Sequence, residues 1–598
     1  MTFWTKIKLA AGALVAAVVV TSVAPIVLGA YPAPFQPGLD ILPAARRVEW
    51  TLAGVPGGIP TDRKNLIDVT KDPYNADKTG ATDAQPAIMK AIADAKDKDV
   101  VYLPAGTYRI NNVIGTAGKQ ITIRGAGPDK TILMAYNPCY SVVDLSLSGG
   151  ADYLWSWPNG GLVVTDSPSR GETVLKFADT KPLSDATVGA ICQISLKNDP
   201  KLPVVVPANW DRQRRQTCRI TAVTPTTITV FPPLSYDLPA SLEPRLAVAA
   251  RHAEWAGLED LTIDGSNSGT PAGLVGMGQT YACWIKNVHA IKAPNYNMTV
   301  GSCVQCEVRH CFIAKRKAEG SNGAGLLVGV ASATLFVDNI IGEQFPSIEV
   351  NAGCTGNVFA YNYCYNSDIG GLIGCSINTN HGAHNSFNLY EGNVAPKFQS
   401  DGYHGSASDD TAFRNWFHGT DVNANLFGIC VYLNRFTRNY NIVGNVLGHK
   451  GYTWLYDSAD NGFGYDQRYI YVFGLPNMGN GGFNGQTVQP GKGKNWPDWD
   501  KMVNSAQGKG PGPGGFQEID LDVKATTLLK GNYNYKDNAV PESESLKDAK
   551  LPNSLFLREK PEWFGNLNWP PFGPDTDFEA NKIPAQVRYE EMTKAPKN

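Results

Sequence analysis

Net charge is scarce in this sequence: 53 Lys and Arg stand against 55 Asp and Glu in 598 residues. Proteins that bind nucleic acid by bulk electrostatics carry a basic excess, so the composition speaks against that class. Beyond the first 30 residues, no stretch reaches the roughly 18 consecutive apolar residues needed to span a bilayer. We therefore expect neither nucleic acid nor a membrane among the partners of the mature chain.

The first 30 residues differ from the rest. Lys6 and Lys8 precede an apolar stretch over residues 9–20, and small residues follow at Gly29 and Ala30. This pattern is typical of a secretory signal peptide, here residues 1–30, and a retained membrane anchor is the alternative. We expect a secreted protein, extracellular or periplasmic, with residues 31–60 as a linker.

Turn-forming residues are abundant, with 61 Gly and 40 Pro, and they predict few long helices. The hydrophobic fraction of 43% suffices for a continuous core, either in several domains or in one solenoid.

The 11 Cys are an odd number. Export permits disulfides, but a small apolar thiol also fits a stacked core. Cys303 and Cys306 have the spacing of half a zinc knuckle, but no second half follows, so no metal is predicted there.

A repeat runs through the middle of the chain. Its anchors are 22 to 31 residues apart, by subtraction of their numbers, and are Asn287, His310, Asn339, Asn362, Asn393, Asn415 and Asn445. Two positions before the anchors, six of the seven residues are apolar, and the same count holds two positions after them. Such alternation predicts a strand with one buried face, and its recurrence predicts a solenoid of stacked coils. An Asn once per coil indicates an internal hydrogen-bonded ladder at a turn.

Residues 61–136 fit the start of such a solenoid. The run Asp-Lys-Thr-Gly-Ala-Thr-Asp at 77–83 precedes a short helical pattern through Ile88, Met89 and Ile92. Two strand patterns follow, at 100–110 and 121–127. We expect the helix to cap the open end of the coil stack.

This succession, with Val-Tyr-Leu-Pro-Ala-Gly-Thr-Tyr at 101–108, resembles the opening of the pectate lyase superfamily domain, in its rhamnogalacturonase- and epimerase-like form. Leu-Glu-Asp-Leu-Thr-Ile-Asp-Gly at 258–265 is similar to a later coil. The resemblance covers roughly residues 60 to 450. It implies an all-β, right-handed, single-stranded parallel β-helix that acts on carbohydrate. It leaves the reaction open, because relatives include lyases, hydrolases, epimerases and phage tailspikes.

The remaining segments complete the predicted organisation. Short strand patterns within 137–250 predict an inserted β-rich lobe. The main coils, with an active groove, are expected at 251–470. A Gly/Pro-rich segment and a C-terminal tail that packs on the β-helix are expected at 471–598.

Titratable residues are dense late in the solenoid, on neighbouring coils. The candidate catalytic residues are His381, His384, Glu391, Asp401, His404 and Arg414. Candidate substrate-binding residues are Tyr390, Tyr403, Asp409, Asp410 and Trp416. Glu391 stands in an otherwise apolar column, where burial favours the protonated carboxyl and suits a general acid. A structural Glu is the alternative, and structural roles compete at the other positions too.

Two chemistries fit these residues. Two carboxyl groups one or two coils apart match a glycosidase, with Asp401 paired with Glu391 or Asp410. A uronate lyase needs a base and a cation, which His384 or His404 with Arg414 would supply. The hypothesis is a monomeric enzyme that cleaves an acidic polysaccharide. A non-catalytic glycan-binding or adhesive β-helix is the alternative. No cofactor is predicted, although residues 457–462 loosely resemble a Ca²⁺ loop.

Overall fold

The computed structural model describes residues 41–136, 141–146, 161–183, 185–206, 211–249, 251–269, 273–316, 323–367, 373–422, 424–458, 466–475, 487–488 and 520–594. The predicted signal peptide lies outside these ranges, so export stays a prediction. Among the described helices, none has the length and apolar character that a membrane crossing requires.

Sheet A, the larger of two long parallel sheets, has 22 strands, and most coils contribute two short strands separated by a turn. Its strands are Leu66–Asp68, Thr79–Asp83, Val100–Leu103, Gly106–Ile110, Thr122–Gly125, Thr131–Ala135, Gly257–Asp264, Trp284–Ala293, Glu307–Arg309, Phe312–Arg316, Leu335–Val337, Ile340–Gly342, Val358–Ala360, Tyr363–Tyr365, Leu389–Glu391, Val394–Ala395, Thr411–Phe413, Trp416–Phe417, Asn441–Val443, Val446–Leu447, Leu528–Lys530 and Tyr533–Asn534.

Sheet B forms a second side of the coils with 11 parallel strands. They are Ile114–Gly115, Val143–Asp144, Val275–Gly278, Met298–Gly301, Leu326–Gly329, Ile348–Asn351, Ile377–Asn378, Phe398–Ser400, Gly428–Leu433, Leu455–Asp457 and Arg468–Phe473. Parallel pairs mark the third side, joining Ala253–Glu254 to Thr280–Tyr281 and Ala407–Ser408 to Thr437–Arg438. The predicted all-β parallel β-helix is confirmed.

The predicted Asn ladder runs through the core at the bend of sheet A. Asn393 is fully buried; its backbone N–H and its Nδ2 both donate to Asn415 Oδ1, each at 2.9 Å. Its own Oδ1 accepts the same pair of bonds from Asn362, at 2.9 and 3.0 Å. Each amide is thereby satisfied by the coils above and below, which removes the cost of burying it.

Two of the seven predicted anchors belong to a different column. Cys311, and not His310, is the ladder position of its coil, because Cys311 N donates to Asn339 Oδ1. Asn287 and His310 stand one residue earlier, where the backbone is left-handed, with φ of 52° and 57°. Asn and His tolerate that conformation, which explains why they imitate the ladder residue in the sequence. Asn532 extends the ladder beyond the expected end of the coils, since Asn445 Nδ2 donates to Asn532 Oδ1.

The helix Gln85–Asp94 caps the N-terminal end and buries Ile88, Ala91 and Ile92 against the first coils. Before it, the N-terminal strap (residues 41–58) crosses several coils. Trp50 Nε1 donates to Phe387 O at 2.7 Å. Further along, Gly54 N donates to Ala333 O at 3.0 Å. The strap thus ties coils together that are far apart in sequence.

The inserted lobe is a six-stranded, mainly antiparallel sheet with its own apolar core. Its strands are Leu162–Val163, Val174–Lys176, Ile191–Leu196, Arg214–Val223, Thr227–Phe231 and Arg245–Val248. Thr217 Oγ1 donates to Val330 O at 2.6 Å, and Val204 bridges Gly405. Val205–Val206 also pairs with Thr487–Val488. The lobe therefore lies against the coils beside the loop that follows Phe398–Ser400.

The C-terminal tail (residues 551–594) covers part of the outer face of sheet A. Arg588 binds Asp338 through two contacts of 2.8 Å, and Trp569 Nε1 donates to Tyr361 OH at 2.9 Å. The helices of the C-terminal part are Leu521–Thr526 and Pro584–Lys594. Short 3₁₀ turns occur at Ala44–Arg46, Trp50–Leu52, Ala240–Leu242, Glu542–Glu544 and Glu562–Phe564.

Candidate functional site

Polar side chains replace apolar ones on the outer face of sheet B over three successive coils. In Ile348–Asn351 the two apolar residues face the core, so Glu349 and Asn351 face outward. Glu349 is in register with Asn378, and Asn378 with Gln399. Stacking therefore aligns a carboxyl and two amides along the coils, although consecutive members of this row are 29 and 21 residues apart in the chain by subtraction.

His381 and Asp401 lie just beyond the ends of these strands and bind each other. His381 Nδ1 is 2.9 Å from Asp401 Oδ2. Asn378 Nδ2 donates to the same oxygen at 2.7 Å, and Tyr403 N donates to Oδ1 at 2.8 Å. The Asp401 side chain is 8% exposed and that of His381 32% exposed, so the imidazole forms the accessible side of the pair.

Two more rings complete this group. Tyr403 stacks on His381, with ring centres 5.4 Å apart and planes at 16°. His404 meets His381 edge-to-face at 5.0 Å. Tyr403 and His404 are both half-buried. We call Glu349, His381, Asp401, Tyr403 and His404 the acid–imidazole cluster.

The two carboxyl groups of the acid–imidazole cluster have pKa values shifted in opposite directions. Burial raises the pKa of Glu349; the charge of His381 opposes part of this rise, and the charge of Asp401 adds to it. Asp401 is itself buried, but His381, Tyr403 and Asn378 stabilise its charge and lower its pKa. Burial opposes a charge on His381, yet Asp401 and then Glu349 outweigh it and raise the pKa of His381 to about 9. At neutral pH this arrangement offers an ionised carboxylate, a cationic imidazole and a carboxyl group that retains its proton more readily.

Four of the predicted site residues come together here: His381, Asp401, Tyr403 and His404. His384 does not. Its side chain turns to Ser406 Oγ at 3.4 Å and is buried. Burial, and then the charge of Arg214, lower the pKa of His384 to about 3. It therefore stays neutral inside the protein, and its prediction as a catalytic residue is corrected.

Three other candidates lie on sheet A beneath the C-terminal tail, away from any open groove. Glu391 has no exposed surface and accepts hydrogen bonds from Tyr361 OH and Leu555 N. Arg414 is 1% exposed and binds Asp575 at 2.7 and 2.8 Å. Their predicted catalytic roles are corrected, because both side chains are buried and form their hydrogen bonds with the tail.

Trp416, the third candidate beneath the tail, packs edge-on against Phe572 and Phe578 of the tail. Tyr390 lies in the core and stacks on Phe359 with ring centres 5.0 Å apart. Neither ring is an open platform for sugar, so both predictions as substrate-binding residues are corrected.

Asp410 ends a second buried ladder, in which Asn357 donates to Asn388 and Asn388 donates to Asp410. Asp410 is fully buried and bonded within the coils, so its substrate-binding role is also corrected. Asp409 is half-buried on the third side of the coils, separate from the acid–imidazole cluster.

Glu349 is absent from the residues predicted from the sequence. One signal was present: Ile-Glu-Val-Asn at 348–351 alternates apolar and polar residues, as an outward-facing carboxylate on a strand requires. Its neighbours across the stack come from other coils, and their proximity depends on a register that only coordinates supply.

Within the described ranges, no three His, Cys, Asp or Glu side chains are grouped as a metal site would need. Asp457, the first residue of the predicted Ca²⁺ loop, binds Lys524 Nζ at 2.6 Å. Residues 459–462 of that loop lie outside the described residues, so the resemblance to a Ca²⁺ loop stays an expectation from the sequence.

The first coils match a family model. The model, described as rhamnogalacturonase A/epimerase, pectate lyase-like, matches residues 67–159. No curated protein matches the sequence.

Solved structures with a similar fold include two phage tailspikes and an epimerase. The tailspike gp61 of Pseudomonas phage phi297 is 13% identical with a TM-score of 0.47, over 70% of this chain and 65% of that one. The A-module of the Azotobacter vinelandii mannuronan C-5 epimerase AlgE4 is 14% identical with a TM-score of 0.37, over 68% and 96%. The gp54 tailspike of Acinetobacter baumannii bacteriophage AP22, in complex with A. baumannii capsular saccharide, is 9% identical with a TM-score of 0.40, over 69% of each chain.

This chain thus spans less than two thirds of the phi297 tailspike. Identities this low concern the fold alone, and the fold rests on the strand pairing described above. The strand pairing makes this chain a right-handed parallel β-helix protein, and its residues 67–159 are similar to the pectate lyase-like family.

Proposed function

We propose that this protein is an exported carbohydrate-active enzyme that hydrolyses a polysaccharide at the acid–imidazole cluster. The observation that carries the proposal is the pair of carboxyl groups, Glu349 and Asp401, whose pKa values are displaced in opposite directions on one face of sheet B. Carboxyl pairs whose surroundings separate their pKa values mark acid and base roles. The pectate lyase-like family match supports carbohydrate as the substrate class.

Spacing supports the same chemistry. The register places Glu349 opposite Asn378 and Asn378 opposite Gln399, so Asp401 stands two coils from Glu349. Two coils correspond to about 10 Å along the stack, and the Asp401 carboxylate leans from its own coil toward Glu349, because its Oδ2 accepts from Asn378 Nδ2 on the intervening coil. Inverting glycosidases hold their carboxyl groups about 6.5–9.5 Å apart, which leaves room for a water molecule.

The roles follow from the protonation states. Glu349 donates its proton to the glycosidic oxygen as the bond from that oxygen to the anomeric carbon breaks. Water attacks the anomeric carbon from the opposite side, and Asp401 takes its proton. Protonated His381 holds Asp401 in place, and Tyr403 offers an aromatic surface to a sugar ring. Activity should fall as pH rises through the raised pKa of Glu349, because the acid then loses its proton.

β-Elimination on an acidic polymer is the second candidate, and one observation favours it. His381, with a pKa of about 9, remains cationic at neutral pH and could neutralise a uronate carboxylate beside the reacting carbon. Tyr403 or His404 would then remove the proton. Hydrolysis does not require a uronate at the cleaved bond, and elimination does.

The test follows reducing ends and the ultraviolet absorbance of unsaturated sugars on a panel of acidic and neutral polysaccharides. We expect reducing ends without new absorbance. Absorbance together with reducing ends would replace hydrolysis by elimination, and tight binding without either product would favour a non-catalytic glycan-binding protein. Glu349→Gln should abolish cleavage. Glu343→Gln is the matched control, because Glu343 is a half-buried Glu on the preceding turn that bonds Tyr365.

A further inference from the structure

Four arginines gather over the third side of the coils, away from the acid–imidazole cluster. The coil residues beneath them are Phe387, Asp409 and Asn439, which follow the parallel-paired residues Ser386, Ser408 and Arg438 on successive coils. All three have left-handed backbone, with φ of 58°, 62° and 56°. They therefore form one column at a turn, with a spacing of about 4.8 Å.

Two of the arginines contact this column, Arg46 by a hydrogen bond and Arg170 by a cation–π contact. Arg46, on the N-terminal strap, donates to Asn439 Oδ1 at 3.3 Å. Arg170, on the inserted lobe, lies 5.5 Å over the Phe387 ring. Its Nη2 donates to Ala44 O at 2.9 Å, so the lobe and the strap are joined here.

The other two arginines are Arg47, which has unpaired hydrogen-bond donors, and Arg214, which lies near Asp409. Arg47 Nε and Nη1 are buried and have no hydrogen-bond partner among the described residues. Burial, and then the neighbouring charge of Arg170, lower the pKa of Arg47, so an anion between these two would relieve both. Arg214 stacks 4.4 Å over the Tyr236 ring and is close enough to Asp409 to interact with its charge.

Three carboxyl groups accompany the four guanidinium groups. Burial raises the pKa of Asp409 in spite of Arg214 and Arg46. Glu49 on the strap uses Oε1 to accept from Thr51 N and has Oε2 buried without a partner among the described residues, and Asp237 accepts from Arg170 N. Buried guanidinium N–H groups without acceptors are costly, so this concentration of positive charge favours an anionic ligand from outside.

We propose that Arg46, Arg47, Arg170 and Arg214, the arginine cluster, bind a carboxylate or sulfate group of an acidic polysaccharide. The guanidinium fork matches both groups bidentately. The inference rests on the proposed function only in that the ligand is a glycan. The arginine cluster lies over the third side of the coils and the acid–imidazole cluster at the edge of sheet B, so the two are separate sites.

The experiment measures binding of the full chain to polygalacturonate, to dextran sulfate and to neutral dextran by affinity electrophoresis at low and high salt. The polymer that retards the wild type identifies carboxylate or sulfate as the preferred group. Arg47→Ala/Arg170→Ala should weaken that retardation at least tenfold and leave neutral dextran unaffected. Arg251→Ala, at an exposed arginine outside the arginine cluster, is the matched control.

Arg170 also anchors the strap, so Arg47→Gln is the second variant, because it removes charge and keeps a hydrogen-bond donor. It should weaken retardation about threefold with an unchanged unfolding temperature. The proposal would be overturned if neither charged polymer retarded the wild-type protein, or if the double variant were retarded as strongly as the wild type. Glu349→Gln distinguishes this proposal from the proposed function, because it should lose cleavage and keep polymer binding. If no polymer is cleaved, loss of binding in the arginine variants alone still supports the arginine cluster as a binding site.

Discussion

Two faces of the β-helix carry similar residues in different surroundings. On sheet B, Glu349 lies beside a cationic His381 and the Tyr403 ring. On sheet A, Glu391 lies near Arg414 and Tyr361. Burial raises the carboxyl pKa on both faces. The difference is the cover: the C-terminal tail donates to Glu391 through Leu555 N, whereas His381 keeps 32% of its side chain exposed. A perturbed acid becomes useful for catalysis only where a substrate can reach it.

The largest effect should separate the two acids by activity. Glu349→Gln should lower kcat on the best polysaccharide about a thousandfold, within the range expected for loss of a general acid. Glu391→Gln should leave kcat within twofold of wild type, because the tail keeps substrate away from it. Steady-state kinetics on both variants makes the comparison, with circular dichroism as the check on folding. Equal losses in the two variants would contradict the assignment of the open face.

Removing the cation beneath the tail should damage stability and spare catalysis. Arg414 donates to Pro552 O and Phe572 O in addition to its pair with Asp575. Arg414→Ala leaves these buried carbonyl groups unpaired, and we expect the free energy of unfolding to fall by about 3 to 4 kcal/mol. Asp575 is half exposed, so its loss of a partner contributes little. Urea unfolding measures the change, and limited proteolysis should show earlier cleavage of the tail.

Arg251→Ala serves as the control for Arg414→Ala, since Arg251 is exposed. If Arg414→Ala matched this control in stability, the tail would be held by its apolar contacts alone. If Arg414→Ala abolished cleavage with the fold intact, Arg414 would return to the list of catalytic candidates.

The sequence predicted the architecture well because the solenoid repeats its signal in every coil. One apolar–polar alternation is ambiguous, but seven aligned ones indicate a stack, and Asn393 with its neighbours indicated the internal ladder. The column error at Asn287 and His310 arose because left-handed turns and ladder positions select similar side chains.

The candidate site was predictable only in part, for a physical reason. His381, Asp401, Tyr403 and His404 are close in sequence, so local density found them. Glu349 joins them through inter-coil register, which periodicity alone does not fix. Glu391 and Arg414 were misassigned because their partners, Leu555 and Asp575, lie 164 and 161 residues away. Local composition around Glu391 and Arg414 carries no signal of the distant tail that covers them.

Stability against pH should reveal the covered acid directly. Folding raises the pKa of Glu391 from 4.5 to about 7. Its favourable contribution is therefore complete below pH about 4.5 and is lost as pH rises through 7. Glu391→Gln carries no charge and keeps one acceptor, its amide oxygen, for Leu555 N, while Nε2 then faces Tyr361 OH as a donor. We expect its stability relative to wild type to rise by about 3 kcal/mol between pH 4 and pH 8, measured by urea unfolding across that range. A constant difference at every pH would show that Glu391 folds with its charge in place.

The smallest effect should distinguish the two tyrosines that the sequence placed in the substrate groove. Tyr403 stacks on His381 at the open face, and a sugar ring on its surface would gain about 1 kcal/mol. Tyr403→Leu should therefore raise KM up to about tenfold with a modest change in kcat. Tyr390 is buried with its hydroxyl unpaired among the described residues, so Tyr390→Phe removes an unsatisfied polar group. It should leave KM unchanged and stability equal or slightly higher. A rise in KM for Tyr390→Phe alone would mean that the substrate reaches the core-facing side of sheet A, and the contrast between the open and covered faces would fail.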